Sequence, residues 1–154
     1  MTMRPARYTN VAIPHIYIEG APRAVEFYAK AFGAEEIFRI TAPNGRVIHS
    51  ELRICDATIM LGDPDGNLYA EPRRLGACMA GLHLIVDDNA AVLANAVAAG
   101  CEMIQSPTDM FYGANSASVR DPFGHVWVLL TWREDLPPTE MERRGRATFG
   151  DQKL

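Results

Sequence analysis

The sequence predicts an α+β protein in which one βαβββ unit is written twice. Two segments carry that prediction: VAIPHIYIEGAPRAVEFYAKAFGAEEI over 11–37 and MAGLHLIVDDNAAVLANAVAAGCEMI over 79–104. His15 falls on His83 and Ile18 on Val86 at an offset of 68, and after the helix Gly33 falls on Gly100 and Glu35 on Glu102 at 67. Self-similarity at a fixed period of this size marks one supersecondary unit used again.

Each unit opens with a short strand mixing β-branched and apolar residues, expected at 11–18 and at 80–86. A helix follows, because Ala24, Phe27, Tyr28, Ala31 and Phe32 recur at helical spacing, as do Val92, Ala96, Val97 and Ala99. Asp88 or Asn89 is placed to cap the second helix, and Gly33 and Gly100 stand where a left-handed C-terminal residue belongs. Three strands complete each unit, at about 35–42, 46–55 and 57–61, then at 101–105, 115–120 and 125–132. Unit one thus spans about 10–62 and unit two about 78–132. The stretch 62–77, GDPDGNLYAEPRRLGA, reads as a loop between them. A tail from 133 to 154 starts a short helix after Pro137 and Pro138, with Thr139 as its expected cap, and from Gly145 onward it reads as disordered or as an arm to a partner.

The composition is that of one globular domain. The chain has 154 residues, 48% hydrophobic and 22% charged, enough to bury a core without staples. A net charge of −4 and a pI near 5.5 give no general attraction to nucleic acid or an anionic membrane. Arg143, Arg144 and Arg146 stand beside Glu140 and Glu142, the pattern of a solvated helix face. No apolar run reaches the roughly 20 residues of a membrane span, and the first ten residues lack a signal-peptide core. Cys55, Cys78 and Cys101 fit neither a disulfide frame nor a CxxC site, and read as reduced core thiols of a cytoplasmic protein. The DPDGN in the loop places three oxygen side chains at alternate positions. A calcium loop would then need Gly and Glu where Leu68 and Arg74 stand, so the stretch reads as a plain turn.

The doubled unit, with AVEFYAKAFGAEE early and DPFGHVWVLLTWRED late, resembles the vicinal oxygen chelate superfamily of glyoxalases, bleomycin-resistance proteins and dioxygenases. PHIYIEGAPRAVEFYAKAFGAEE, ELRICDATIMLGD and DPFGHVWVLLTWREDLPPTEMERR resemble its PhnB-type branch. The likeness covers about residues 10–145 and implies half-barrels, commonly paired in a homodimer. Metal-dependent members take one ligand from the first and last strand of each unit. Those positions fall on Ile13, Met60, Gly81 and Val128, none of which offers a hard donor, so no divalent metal or other cofactor is expected. The strand after DPFG then reads as structural, with Val128 and Trp127 on opposite faces.

His15 and His83 lie two residues beyond Ile13 and Gly81, so each shares its neighbour's face. Three readings are open for this pair: neutral side chains satisfied locally, acid–base or substrate-contacting groups, or a displaced metal site. In RVIHSELRI, His49, Glu51 and Arg53 share the face opposite Ile48, Ser50, Leu52 and Ile54. They are expected toward the rim, solvated and paired across strands; pointed inward, Glu51 is a candidate base and Arg53 an anion anchor. Tyr112, in the loop before a unit-two strand, is a candidate to stack on a ligand. Ile13, Met60 and Val128 suit an apolar pocket, and His125, directly after the turn glycine, reads as structural. The expectation is a cytoplasmic homodimer that binds a small organic molecule without a metal. The alternative is a metal-dependent or His-based lyase, isomerase or dioxygenase, with His15, His83 and Glu51 holding a displaced metal or serving as acid and base.

Overall fold

A computed structural model describes Tyr8 and residues 10–150. Twelve elements follow in order: β1 (His15–Tyr17), α1 (Ala21–Phe32), β2 (Glu35–Thr41), β3 (Val47–Ile54), β4 (Ala57–Gly62), α2 (Pro72–Leu75), β5 (Gly81–Ile85), α3 (Asn89–Ala99), β6 (Glu102–Asp109), β7 (Ala114–Arg120), β8 (Val126–Trp132) and α4 (Pro138–Phe149). The strands form two four-stranded sheets, β1-β4-β3-β2 and β5-β8-β7-β6. In each one edge pair is parallel (β1 with β4, β5 with β8) and the remaining pairs are antiparallel. This is the repeated βαβββ that the sequence predicts. The described residues divide into two compact units, those up to Ala29 with 33–71, and 30–32 with those from Pro72 onward.

The first unit buries one face of its sheet through Ile16, Leu52, Ile54, Ile59 and Leu61. Gly62 ends β4 because a Cβ there would lie 2.8 Å from the carbonyl oxygen of Ile48. The next residue, Asp63, closes three backbone gaps. Its Oδ1 accepts from the amides of Gly20 (2.8 Å) and Ala21 (3.3 Å) at the start of α1, and its Oδ2 accepts from Val47 at 2.7 Å. A helix start leaves such amides without intrahelical partners, and α1 lacks a side-chain cap of its own. Gly33 ends the helix in the left-handed region at φ 66°.

The second unit repeats the device with different atoms. Thr131 Oγ1 accepts from the amide of Asn89 at 2.9 Å, 42 residues back in the chain. Asp88 is the cap of α3, accepting from Ala91 at 3.0 Å. Asn89 is a buried strut: its Nδ2 donates to Asn115 and to the carbonyl of Leu129. Helix α3 packs on β6, β7 and β8. The DPFG turn is held by its own aspartate. Asp121 Oδ1 accepts from the amides of Phe123 and His125, and its Oδ2 accepts from the indole of Trp127 at 2.9 Å. Trp127 is fully buried, with the Phe32 ring tilted against it 4.5 Å away, and His125 is buried beside the turn. Gly124 has φ 93°, and a Cβ there would meet the backbone nitrogen of Arg73 at 2.6 Å, so the turn seats directly against α2.

Several expectations change. The loop 62–77 holds a short helix, α2. Strand β1 is only three residues, so Ile13 precedes it, and β6 runs on to Asp109. The tail is ordered further than expected, with α4 continuing through Gly145 to Phe149. Its N-cap is Pro137 rather than Thr139, without a side-chain cap bond. Glu140 instead holds Arg143 at 2.7 Å and Arg144 at 2.8 Å along the helix, and Arg146 pairs with Glu142. That is the solvated charged face the composition suggests, while Phe111 packs 5.5 Å from Phe149 and 3.0 Å from a Cβ placed at Gly145. Of the cysteines only Cys101 is a core thiol; Cys55 is exposed and Cys78 half-buried. No helix among the described residues is long and apolar enough to cross a membrane.

Candidate functional site

Register in the first sheet builds one polar rung. His15 on β1 is the Cα partner of Met60 on β4, Met60 of Glu51 on β3, and Glu51 of Phe38 on β2. Side chains two apart on a strand share a face, so Tyr17 joins His15, and His49 and Arg53 join Glu51. Arg53 turns outward to Glu35 in an exposed ion pair. Glu51 does the opposite of what its rim expectation holds, for it is 0% exposed. The hydroxyl of Tyr8 donates to its Oε1, and His49 Nε2 stands 3.7 Å from the same oxygen.

Aromatic rings run along the same sheet. His15 and Tyr17 stack nearly parallel at 4.6 Å, and Tyr17 and Tyr69 at 4.0 Å. His49 stands edge-on to His15 at 5.5 Å and lies 5.4 Å from Phe38. Tyr69 reaches the stack because Asp65 Oδ1 gathers the amides of Asn67, Leu68 and Tyr69 at 2.9, 2.9 and 3.0 Å. Those backbone bonds, that of Tyr69 first, hold the Asp65 carboxyl below its usual range. DPDGN is therefore a turn, and it delivers a ring to the sheet. Tyr17 is pushed up, first by burial and then by Tyr69.

His15 is the unsatisfied member. Its Nε2 is buried without a hydrogen-bond partner. Burial first, and the neighbouring His49 second, lower its pKa, so the ring is held neutral. A buried polar atom left unpaired costs about 1–3 kcal/mol, a cost that a water or a bound molecule with a matching polar atom removes.

In the second unit, His83 is the partner of Val128, Val128 of Ser118, and Ser118 of Gln105. That rung carries no acid, and His83 is exposed. Tyr112 stands edge-on to Phe111 at 5.2 Å and to Trp132 at 6.1 Å, in the aromatic group that includes Phe149. A cleft of about 490 Å³ in this unit is lined by Arg73, Cys78, Glu102, Arg120 and Gly124, and includes none of the sequence-predicted site residues.

The metal positions can be tested on donor chemistry. Ile13, Met60, Gly81 and Val128 supply one thioether between them. Register makes His15 and His83, rather than Ile13 and Gly81, the partners of Met60 and Val128, and that set still lacks a carboxylate. Among the described residues no three His, Cys, Asp or Glu side chains group to hold a metal ion. The residues present do not fit the chelate of the metal-dependent relatives.

Register thus brings His15, Met60 and Glu51 together, and leaves Val128, His83 and Tyr112 to the second unit. Tyr17 was legible by alternation from His15. Nothing in the sequence marks Tyr8 or Tyr69, which arrive from outside the strands.

A two-sheet repeat with a furnished sheet face defines a class of α+β proteins, and the comparisons give the family. The description of the Glyoxalase/Bleomycin resistance protein/Dioxygenase superfamily matches residues 10–129, and the chain belongs to that superfamily. An uncharacterized protein of Mycobacterium bovis is 38% identical over 120 residues, 75% of this chain and 79% of that one. Among solved structures, a gene product of Arabidopsis thaliana is similar at TM-score 0.64 and 25% identity, over 78% of this chain and 97% of that one. The PhnB protein of Bacillus cereus is similar at TM-score 0.59 and 16% identity, over 78% and 98%.

Proposed function

We propose that this chain is a PhnB-type, cytoplasmic, homodimeric member of the superfamily that binds a small, partly apolar organic molecule without a divalent metal. The first sheet's Glu51 face is the proposed site. One observation carries the reading: a fully buried carboxylate and a neutral imidazole with an unpaired Nε2 share a rung in the middle of an aromatic face. Stability alone favours apolar residues there, since burying polar groups costs free energy unless every valence is met. The rings of Tyr17, Tyr69 and Phe38 and the Met60 thioether supply apolar contact; His15, His49 and Glu51 supply orientation.

The test is a thermal-shift screen of the purified protein against aromatic and heteroaromatic metabolites and antibiotics, with metal content measured on the same sample. A ligand that raises Tm in the parent and loses its effect in Tyr17→Ala supports the reading. No shift across the panel, or near-stoichiometric zinc, nickel, manganese or iron, overturns it.

A second reading has its own observation. His49 Nε2 lies 3.7 Å from a buried carboxylate, an acid–base pair beside the neutral His15. In that reading the chain is a His-based lyase or isomerase. Turnover of a screened ligand that vanishes in Glu51→Gln, with binding retained, would favour it over simple binding.

A further inference from the structure

Glu51 is covered by a side chain that does not belong to its sheet. Tyr8 lies seven residues before β1, yet its phenol hydroxyl donates to Glu51 Oε1 on the face that carries His15 and Met60. The repeat shows that the sheet does not require this arrangement. The position equivalent to Glu51 in the second unit is Ser118, since each pairs with the equivalent residue of the last strand, Met60 or Val128. The acid and its phenolic partner are therefore additions to a scaffold that stands without them. Tyr8 also serves the face incompletely, because His15 Nε2 on the same rung remains buried and unpaired.

We infer that Tyr8 is an internal occupant of the site, and that the molecule the site takes is a hydroxyaromatic compound that displaces the Tyr8 ring and places its own hydroxyl on Glu51. The inference rests on the binding reading above and deepens it by naming the ligand's chemistry. A carboxylate accepting a phenol O–H makes a charge-assisted hydrogen bond, stronger than one between neutral groups. Phe38, the register partner of Glu51 on β2, and His49 beside it offer ring surface to an aromatic body. The Cα atoms of Glu51 and His15 are two strand spacings apart, about 10 Å, and His49 fills part of the interval. A second polar atom, across the ring from the hydroxyl, would meet His15 Nε2, which Tyr8 leaves unanswered.

The experiment is calorimetric titration of para-cresol, its methyl ether and 4-hydroxybenzaldehyde into the parent and into Tyr8→Phe and Tyr8→Ala. Tyr8→Phe removes only the internal hydroxyl, so it tests the proposal even where Tyr8→Ala disturbs folding, which a melting curve reports. Para-cresol is expected to bind about tenfold or more tightly to either variant than to the parent, the scale of one hydrogen bond to a charged group. The methyl ether, which cannot donate, should bind weakly throughout. 4-Hydroxybenzaldehyde should exceed para-cresol in Tyr8→Phe, with the excess lost in His15→Phe. Equal affinity of para-cresol for parent and variants, or a methyl ether that binds as well as the phenol, overturns the proposal. If that happens while the screen yields another ligand sensitive to Tyr17→Ala, the binding reading stands and only the hydroxyaromatic assignment fails.

Discussion

Trp127 donates its indole N–H to Asp121 Oδ2 at 2.9 Å, joining the floor of the second unit to the turn that begins β8. The other oxygen of Asp121 accepts from Phe123 and His125 at 3.0 and 2.9 Å. One carboxylate therefore meets three donors that have no water to turn to. Asp121→Ala should destabilise the protein by about 3 kcal/mol, since buried N–H groups lose their acceptor together. Asp121→Asn should cost less, because one oxygen remains. Urea unfolding followed by Trp fluorescence measures both, and an alanine variant within about 0.5 kcal/mol of the parent would refute the account.

Asp63 is the corresponding post in the first unit. It accepts from Gly20, Ala21 and Val47, tying the start of α1 to β3. Asp63→Ala is expected to cost about 2 kcal/mol, in the upper range of helix-cap deletions, because a strand amide is orphaned as well. Asp65→Ala, two residues on, releases an exposed turn and should leave the urea midpoint unchanged. It should nevertheless free Tyr69 from Tyr17. Hydrogen exchange at 63–69 and at 20–23 separates the two outcomes.

The repeat made the architecture legible, because hydrophobic period and helix-ending glycines are local signals. His15, Met60 and Glu51 were legible as residues, and the shared face of His49 and Glu51 followed from alternation. Their rung was not, since the count from the helix motif assigns the family position to Ile13 while the β1–β4 register pairs His15 with Met60. Register is a property of two strands 45 residues apart, which periodicity within one strand does not contain. Glu51 was expected at the rim because a lone acid on a strand usually seeks water. Its carboxylate accepts from Tyr8, and Tyr69 extends the stack on Tyr17. Both rings arrive by loop geometry, the least legible part of any sequence.

His15 makes stability depend on pH. Its folded pKa lies below the ordinary 6.5, first because burial penalises the charged ring and second because His49 is near. A histidine lowered by folding binds fewer protons in the native state than in the unfolded chain once pH falls below the unfolded value. Its contribution is complete above about pH 6.5 and is lost as pH drops toward the folded pKa. Tyr17, His49 and Glu51 share its face, so His15→Phe isolates its share. Unfolding free energy should fall between pH 7.5 and pH 5.5 in the parent and fall less in His15→Phe. Parallel curves would remove the argument for a neutral, desolvated ring.

Cysteine reactivity tests the burial pattern directly. The Cys101 thiol is pushed up to about 12, by burial first and by the Asp121 carboxylate second. Thiolate is the attacking form, so at pH 8 only about one Cys101 side chain in ten thousand is reactive, and it is enclosed as well. Cys55 stands exposed at the β3–β4 hairpin with φ 53°, open to reagent. Timed alkylation with peptide mass spectrometry should label Cys55 first, and Cys101 only with denaturant present. Because access to Cys101 requires opening the end of α3 where β6 begins, its labelling rate in native buffer also reports how often that part of the second unit opens. Labelling of Cys101 as fast as Cys55 would place the α3–β6 junction in solvent and contradict the burial of its thiol.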